Sequence, residues 1–273
     1  MATEKSPLSA PEQHFSAAGL RSFWDWTGSF IQPFFGAPST RYYFECERIL
    51  FETFLPDLRG KSVFKTDLWD EAKNTRILNW VAEQGARAFG LDISEPIARE
   101  ARSSFAQARL GLGCIISDLR AAGFKDGSFD YIYSMGTIEH FPEYGLALEE
   151  CYRLLKKGGL AIIGVPNKFD PFLRPVLVSF LQSLNLYAFG EERSFGMNEL
   201  GRLLQAIGFR VIGRSGILFM PGWLRLVDLF WHLRWPRSNF LLAPLILPFA
   251  FLYRKCLSLR RWGYLIACVV QKP

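Results

Sequence analysis

Residues 124–141 read FKDGSFDYIYSMGTIEHF, and this stretch decides the fold. Phe129 to Ser134 reads as a short buried strand. The loop behind it, Met135-Gly136-Thr137-Ile138-Glu139-His140-Phe141, carries a glycine that lets backbone approach a ligand and then a titratable pair. In an open parallel sheet, ligands sit beyond the carboxyl ends of the strands, where this loop would lie.

Reading outward in both directions gives more of the same pattern. Glu143–Lys157 reads as a helix with an apolar stripe at Tyr144, Leu148, Cys151 and Leu155, and Glu149 and Arg153 form an i,i+4 pair. Gly158-Gly159 predicts its left-handed cap, and Leu160–Val165 is the next buried strand. Helical text fills 170–188 and 197–207, Phe209–Gly213 is a strand, and Tyr264–Val270 reads as a closing strand. Upstream, Ser62–Thr66, Ala86–Leu91 and Leu112–Ile116 read as strands and Thr75–Gln84 as a helix. Ser94 caps a further helix with Pro96 in its first turn. Strands alternating with helices predict an α/β fold, a parallel sheet with helices on both faces.

Three regions complete the expected organisation. Residues 1–15 are a disordered lead-in with no apolar signal core, and 16–57 are an N-terminal helical cap. The second helix of that cap opens at Ser39/Thr40 and closes near Pro56. Residues 58–273 form the main domain, with a hydrophobic helical insert at about 217–258. The longest apolar run, Phe240 to Tyr253, is broken by Pro244 and Pro248 and falls short of the roughly 18 residues of a spanning helix.

A composition with 49% hydrophobic and 21% charged residues supports a sizeable core. The net charge of +6 favours anionic partners, but no Lys/Arg run or basic–aromatic module is present, so no nucleic acid is expected. Cys46, Cys114, Cys151, Cys256 and Cys268 show no C-x-x-C and no His at metal spacing. They read as reduced thiols of a cytoplasmic protein with no metal site.

Two more strand tips carry acids. Asp92 in Gly90-Leu91-Asp92-Ile93-Ser94 stands where a carboxylate accepts both hydroxyls of an adenosine ribose, or simply caps the helix behind it. Asp118 in Ser117-Asp118-Leu119 is placed to accept an exocyclic adenine amine. His140 has the ordinary pKa of a general base, with Glu139 beside it; holding the loop by hydrogen bonds is its other role.

The texts GLDIS at 90–94, FKDGSFDYIYSMGTIEHF at 124–141 and EECYRLLKKGGLAIIGVPN at 149–167 together resemble the class I S-adenosylmethionine-dependent methyltransferases, in their small-molecule (methyltransferase type 11-like) branch. The resemblance covers 61–214 and the strand at 264–270. It implies a doubly wound, Rossmann-like, seven-stranded and mostly parallel sheet whose last strand is antiparallel. It implies S-adenosylmethionine as cofactor, with Asp92 and Ile93 at the ribose, Asp118 and Leu119 at the adenine end, and Ser134, Met135 and Gly136 along the methionine portion.

One segment departs from that pattern. The family's first strand runs into an acidic residue and a glycine-rich turn, whereas Val63-Phe64-Lys65-Thr66-Asp67-Leu68-Trp69-Asp70-Glu71-Ala72-Lys73-Asn74 has no glycine. Asp67 and one of Asp70 or Glu71 are expected to face the cationic end of the cofactor, with Lys65 paired to one of these carboxylates or to the ligand's own. A catalytically inactive, methyltransferase-like binding subunit is the alternative this loop leaves open. A nicotinamide oxidoreductase would need G-x-G-x-x-G after the first strand, and none is there.

The insert carries Arg225, Arg234, Arg237, Arg254 and Lys255 against one acid, Asp228, with Trp223, Trp231 and Trp235 beside them. It reads either as an interfacial helix meeting an anionic membrane from its inner face or as a cap over the site. Both suit a small hydrophobic or lipid-like methyl acceptor, with O-methylation favoured.

Overall fold

The computed structural model describes residues 15–55, 57–184 and 186–273. Most of the expected lead-in lies outside the described residues, as does Pro56. In chain order the elements are α1 (Ala17–Phe30), α2 (Pro38–Phe54), β1 (Ser62–Lys65), α3 (Trp69–Lys73), α4 (Ile77–Glu83), β2 (Arg87–Asp92), α5 (Glu95–Gln107), β3 (Leu112–Ile116), β4 (Phe129–Met135) and α6 (Tyr144–Leu154). They continue as β5 (Leu155–Pro166), α7 (Arg174–Ser183), α8 (Met197–Ile207), β6 (Arg210–Ile217), α9 (Gly222–Arg234), α10 (Ala243–Lys255) and β7 (Leu265–Gln271).

The strands form one doubly wound sheet in the order β3-β2-β1-β4-β5-β7-β6. All neighbours are parallel except β7, which runs antiparallel to both β5 and β6. Side-chain alternation along β7 separates two cores. Leu265, Ala267 and Val269 join the layer built from α2, α4, α5 and α10, while Ile266, Cys268 and Val270 join the layer of α6 and α8. All five cysteines carry free thiols.

Several boundaries differ from the sequence reading. Ser39 and Thr40 are not caps: Pro38 occupies the first helical turn of α2, with Ala37 as its N-cap. The Ser39 N–H is satisfied from a distance instead, donating 2.8 Å to Asp228 Oδ2 on α9. Gly158-Gly159 does not end α6 either. The helix stops at Leu154 and β5 begins at once, with a bulge against β4 between the pairs Phe129–Leu155 and Tyr131–Leu160. Gly158 is in the left-handed region (φ +77°), so its glycine serves the bulge rather than a helix end. The glycine-free loop is ordered as the short helix α3, and β6 runs on to Ile217, which delays the start of the insert. No described helix is long and apolar enough to cross a membrane.

Candidate active site

A cavity opens beyond the carboxyl ends of β1, β2 and β4, where the strand order leaves β1 between β2 and β4. Its walls bring together Asp67, Asp70, Asp92, Ile93, Leu119, Met135, Gly136, Glu139 and His140 among the residues marked in the sequence. Lys65, Glu71, Asp118 and Ser134 are not among the residues that line it.

The β1 end is built around a buried cation. Lys65 is fully buried, and its Nζ lies 2.9 Å from Asp67 Oδ1, 3.0 Å from Asp70 Oδ2 and 3.5 Å from Glu71 Oε2. Burial alone would lower this ammonium, but Asp67, Asp70 and Glu71 outweigh it and hold the lysine well above its ordinary value. Burial in turn pushes Glu71 up to about 7 against the pull of Lys65. The sequence predicted that Lys65 pairs with one of these carboxylates or with the ligand's own, and the structure surrounds it with three.

Asp67 and Glu71 also order backbone, and Asp70 holds a side chain. Asp67 Oδ1 accepts the Trp69 N–H at 3.1 Å and Asp67 Oδ2 accepts the Thr137 hydroxyl at 2.6 Å, which ties the turn before α3 to the loop after β4. Glu71 Oε1 accepts the Leu78 N–H at 3.0 Å at the start of α4. Asn74 Nδ2 donates 2.8 Å to Asp70 Oδ1, while Asn74 Oδ1 accepts from Thr40 at 3.0 Å and from Arg225 Nη2 at 3.2 Å. These side-chain bonds fix the segment that glycine-rich backbone would otherwise shape.

At the tip of β2, Asp92 is buried, and its Oδ2 and Oδ1 accept N–H bonds from Leu68 (2.9 Å) and Ser94 (2.8 Å). Burial pushes its carboxyl up to about 7 in spite of these two donors. Each oxygen keeps a lone pair for a further donor. Asp118 is used differently: it caps the short 3₁₀ turn at Leu119–Ala121 and grips Arg120, whose Nη2 lies 2.7 Å from its Oδ2. Ser134 Oγ lies 2.9 Å from Thr66 Oγ1, inside the protein.

In the loop after β4, Gly136 adopts φ +78°, which exposes the loop backbone to the cavity without a Cβ. His140 is buried, and its Nδ1 lies 2.9 Å from the Glu191 carbonyl oxygen. A carbonyl only accepts, so Nδ1 carries the proton and Nε2 keeps its lone pair. Burial lowers the imidazole, so it is neutral at pH 7. Burial raises Glu139 well above the carboxylate range, and its Oε2 has no hydrogen-bond partner among the described residues.

The remainder of the cavity went unread in the sequence. Trp24 of α1, Trp69 of α3 and Phe189 form an edge-to-face chain over it, with Trp24 also edge-on to His140 at 5.0 Å between ring centroids. Arg174 of α7 holds Glu192 in a two-pronged ion pair at 2.6 and 3.0 Å, and Tyr187 donates 2.7 Å to the same carboxylate. Arg225 reaches the wall from α9. A usable signal was present: Arg225 and Asp228 stand at i,i+3 on one helix face inside an apolar segment, where charge needs a buried partner.

Residues 72–163 match the family model described as a methyltransferase domain. A probable S-adenosylmethionine-dependent methyltransferase of Mycolicibacterium smegmatis is 22% identical over 68% of this chain and 66% of its own length. A demethylmenaquinone methyltransferase of Listeria welshimeri is 33% identical over 46% of this chain and 62% of its own. The chain thus spans a little under two thirds of the length of these curated relatives. Among solved structures, a magnesium protoporphyrin IX methyltransferase of Synechocystis PCC 6803 with bound S-adenosylhomocysteine superposes with a TM-score of 0.60 at 13% identity, covering 94% of this chain and 100% of that one.

Proposed function

We propose, from the premise that the chain belongs to the class I S-adenosylmethionine-dependent methyltransferases through its domain at residues 72–163, that it binds S-adenosylmethionine and methylates a small hydrophobic acceptor, at an oxygen atom. The observation that carries this reading is the acid-lined cavity end, with Asp67, Asp70 and Asp92 together, where the buried Lys65 is already compensated by its own carboxylates and the buried Lys73 is paired with Glu100. That donor set suits a ligand with a sulfonium and an ammonium at one end and a ribose diol at the other. The cofactor, when bound, supplies an electrophilic methyl on a positively charged sulfur.

The protein's part is alignment in a dry cleft. Asp92 would accept the ribose hydroxyls through its free lone pairs. Met135, Gly136 and Thr137 offer backbone to the methionine portion, and Asp67 and Asp70 face its amino end. Ile93 and Leu119 support an apolar seat for the adenine. His140 Nε2 is the available proton acceptor, and Trp24 and Trp69 exclude water around it. The apolar wall of Phe34, Leu226, Leu229 and Phe189 favours a hydrophobic acceptor, of the kind found in lipids or isoprenoid quinones. Peripheral contact with the inner face of an anionic membrane, from the cytoplasm, agrees with that acceptor and with the free thiols.

Isothermal titration with S-adenosylmethionine and S-adenosylhomocysteine tests the proposal. Saturable one-to-one binding of both is expected. A chain that binds neither is a binding subunit without this chemistry.

A further inference from the structure

Helix α9 is inside out. It turns Trp223, Leu226, Val227, Phe230 and Leu233 to solvent, at the spacing of a single helix face, while Arg225 (8% exposed) and Asp228 (0%) are buried beneath it. A helix at a water-covered surface has the reverse arrangement. α7 repeats the inversion, with Arg174 3% exposed and Val176 and Phe180 64% and 60% exposed. α10 adds Leu247 and Phe251, at 62% and 60%. α7 packs on α9, and the 3₁₀ turn at Pro236–Leu242 touches both α9 and α10, so the three helices are neighbours. Patches of this kind on a soluble monomer mark something that covers them.

Charge selects what covers this one. Residues 222–262 hold seven basic side chains (Arg225, Arg234, Arg237, Arg254, Lys255, Arg260 and Arg261) against the single acid Asp228. Arg234, Arg237, Lys255 and Arg261 are exposed and form no ion pair among the described residues. A second copy docking through the same face would set these cations against their own images. Nucleic acid would meet leucine and phenylalanine instead of a basic groove. An anionic bilayer satisfies both halves of the surface: aliphatic and phenylalanine side chains enter the acyl boundary, tryptophans sit at the headgroup level, and the cations meet phosphates.

We propose that α7, α9 and α10 seat the protein on an anionic bilayer, with the α7–α9 wall of the cavity in contact with the acyl region, so that the acceptor enters from lipid. Leu226 makes this specific, because it both lines the cavity and is 41% exposed on the outer stripe. The acceptor half of the inference rests on the function proposed above; the seating does not.

Flotation of the purified full chain with phosphatidylcholine vesicles, with and without phosphatidylglycerol, reads the seating directly. The protein should float with the anionic vesicles and be released progressively by salt. The triple substitution Phe180→Ser, Phe230→Ser, Leu233→Ser should lower the partition coefficient by at least roughly ten-fold, because three large apolar side chains leave the interface. Its circular dichroism and S-adenosylmethionine titration should match the parent. Lipids brominated in the acyl chain should quench tryptophan fluorescence, and Trp223→Phe should remove much of that quenching. A parent protein that stays unbound at low salt overturns the proposal, as does a triple variant that floats equally well. A stable dimer that the triple variant dissociates overturns it too, since the face would then be occupied by a second copy. A chain that floats but binds no cofactor loses the proposed function and keeps this one.

Discussion

Asp92 holds a carboxyl that is raised to about 7 by burial, from an ordinary 3.8, while two backbone N–H groups already grip it. A ribose donating two hydroxyls would select the ionised form, so affinity for S-adenosylmethionine should climb as pH rises through about 7. Asp92→Asn keeps the shape, should cost roughly one to three decades of affinity and should flatten that climb. Calorimetry across the pH range measures both, and an unchanged affinity would remove Asp92 from the site. In the ligand-free protein the sign is reversed. Asp92 binds its proton more tightly folded than unfolded, so its contribution to stability is complete below about pH 4 and is lost as pH rises towards 7, and Asp92→Asn should abolish that decline in thermal unfolding. Lys65 carries a second prediction. Lys65→Met leaves three carboxylates facing one another without their cation and should destabilise the fold by about 3–5 kcal/mol in urea titrations. A loss below about 1 kcal/mol would show that the cluster relaxes by taking up protons. Asp92 was legible because a strand tip before a capped helix exposes its position in the sequence. The count of partners around Lys65 was not, because it depends on the turn of α3 that swings Asp70 and Glu71 back over β1.

At the scale of elements, α9 fastens to α2 through polar atoms. Asp228 accepts the Ser39 N–H at 2.8 Å and Arg225 Nη1 donates to Ser39 Oγ at 3.2 Å, so the first turn of α2 is capped by a helix 189 residues away in sequence. Asp228→Leu keeps apolar volume, leaves that N–H without an acceptor and should cost about 1–3 kcal/mol. Urea denaturation gives the loss; a neutral effect would mean that water takes over the cap. The same contact explains why Ser39/Thr40 looked like a cap in the sequence: serine and threonine beside a proline are helix-start text, and only the tertiary partner moves the boundary. The junction of α6 and β5 misled for a related reason. A Gly-Gly pair after an amphipathic helix signals a left-handed cap, but here Leu155 already pairs with Phe129, and the glycine conformation is spent on a bulge. Periodicity located nearly every helix and strand; the positions that failed were those where two elements meet.

For the molecule as a whole, the strand count and the alternation of strands with helices could be read in advance, because buried runs and amphipathic stripes are local signals. The antiparallel last strand came from the family resemblance. The aromatic roof over the cavity was not readable, since Trp24, Trp69 and Phe189 come from three distant segments and meet only after folding. The place of β7 has a consequence for synthesis. It lies between β5 and β6 and, among the described residues, is the only sheet partner of β6, whose last residue is Ile217. A ribosome that has finished β6 must still make β7 (Leu265–Gln271) before β6 has a ladder to join and before β5 loses its open edge. At the usual pace of about 5–20 residues per second that interval lasts seconds, with the exposed leucines of α9 and α10 emerging meanwhile. Nascent chains stalled before residue 265 should therefore be cut readily by protease, whereas chains carried through β7 and released should resist it. Equal resistance would show that the first five strands close without waiting. Until β7 docks, the emerging polypeptide carries an unpaired strand edge together with its greasiest helices, and a nearby lipid surface or chaperone would act on it before it is folded.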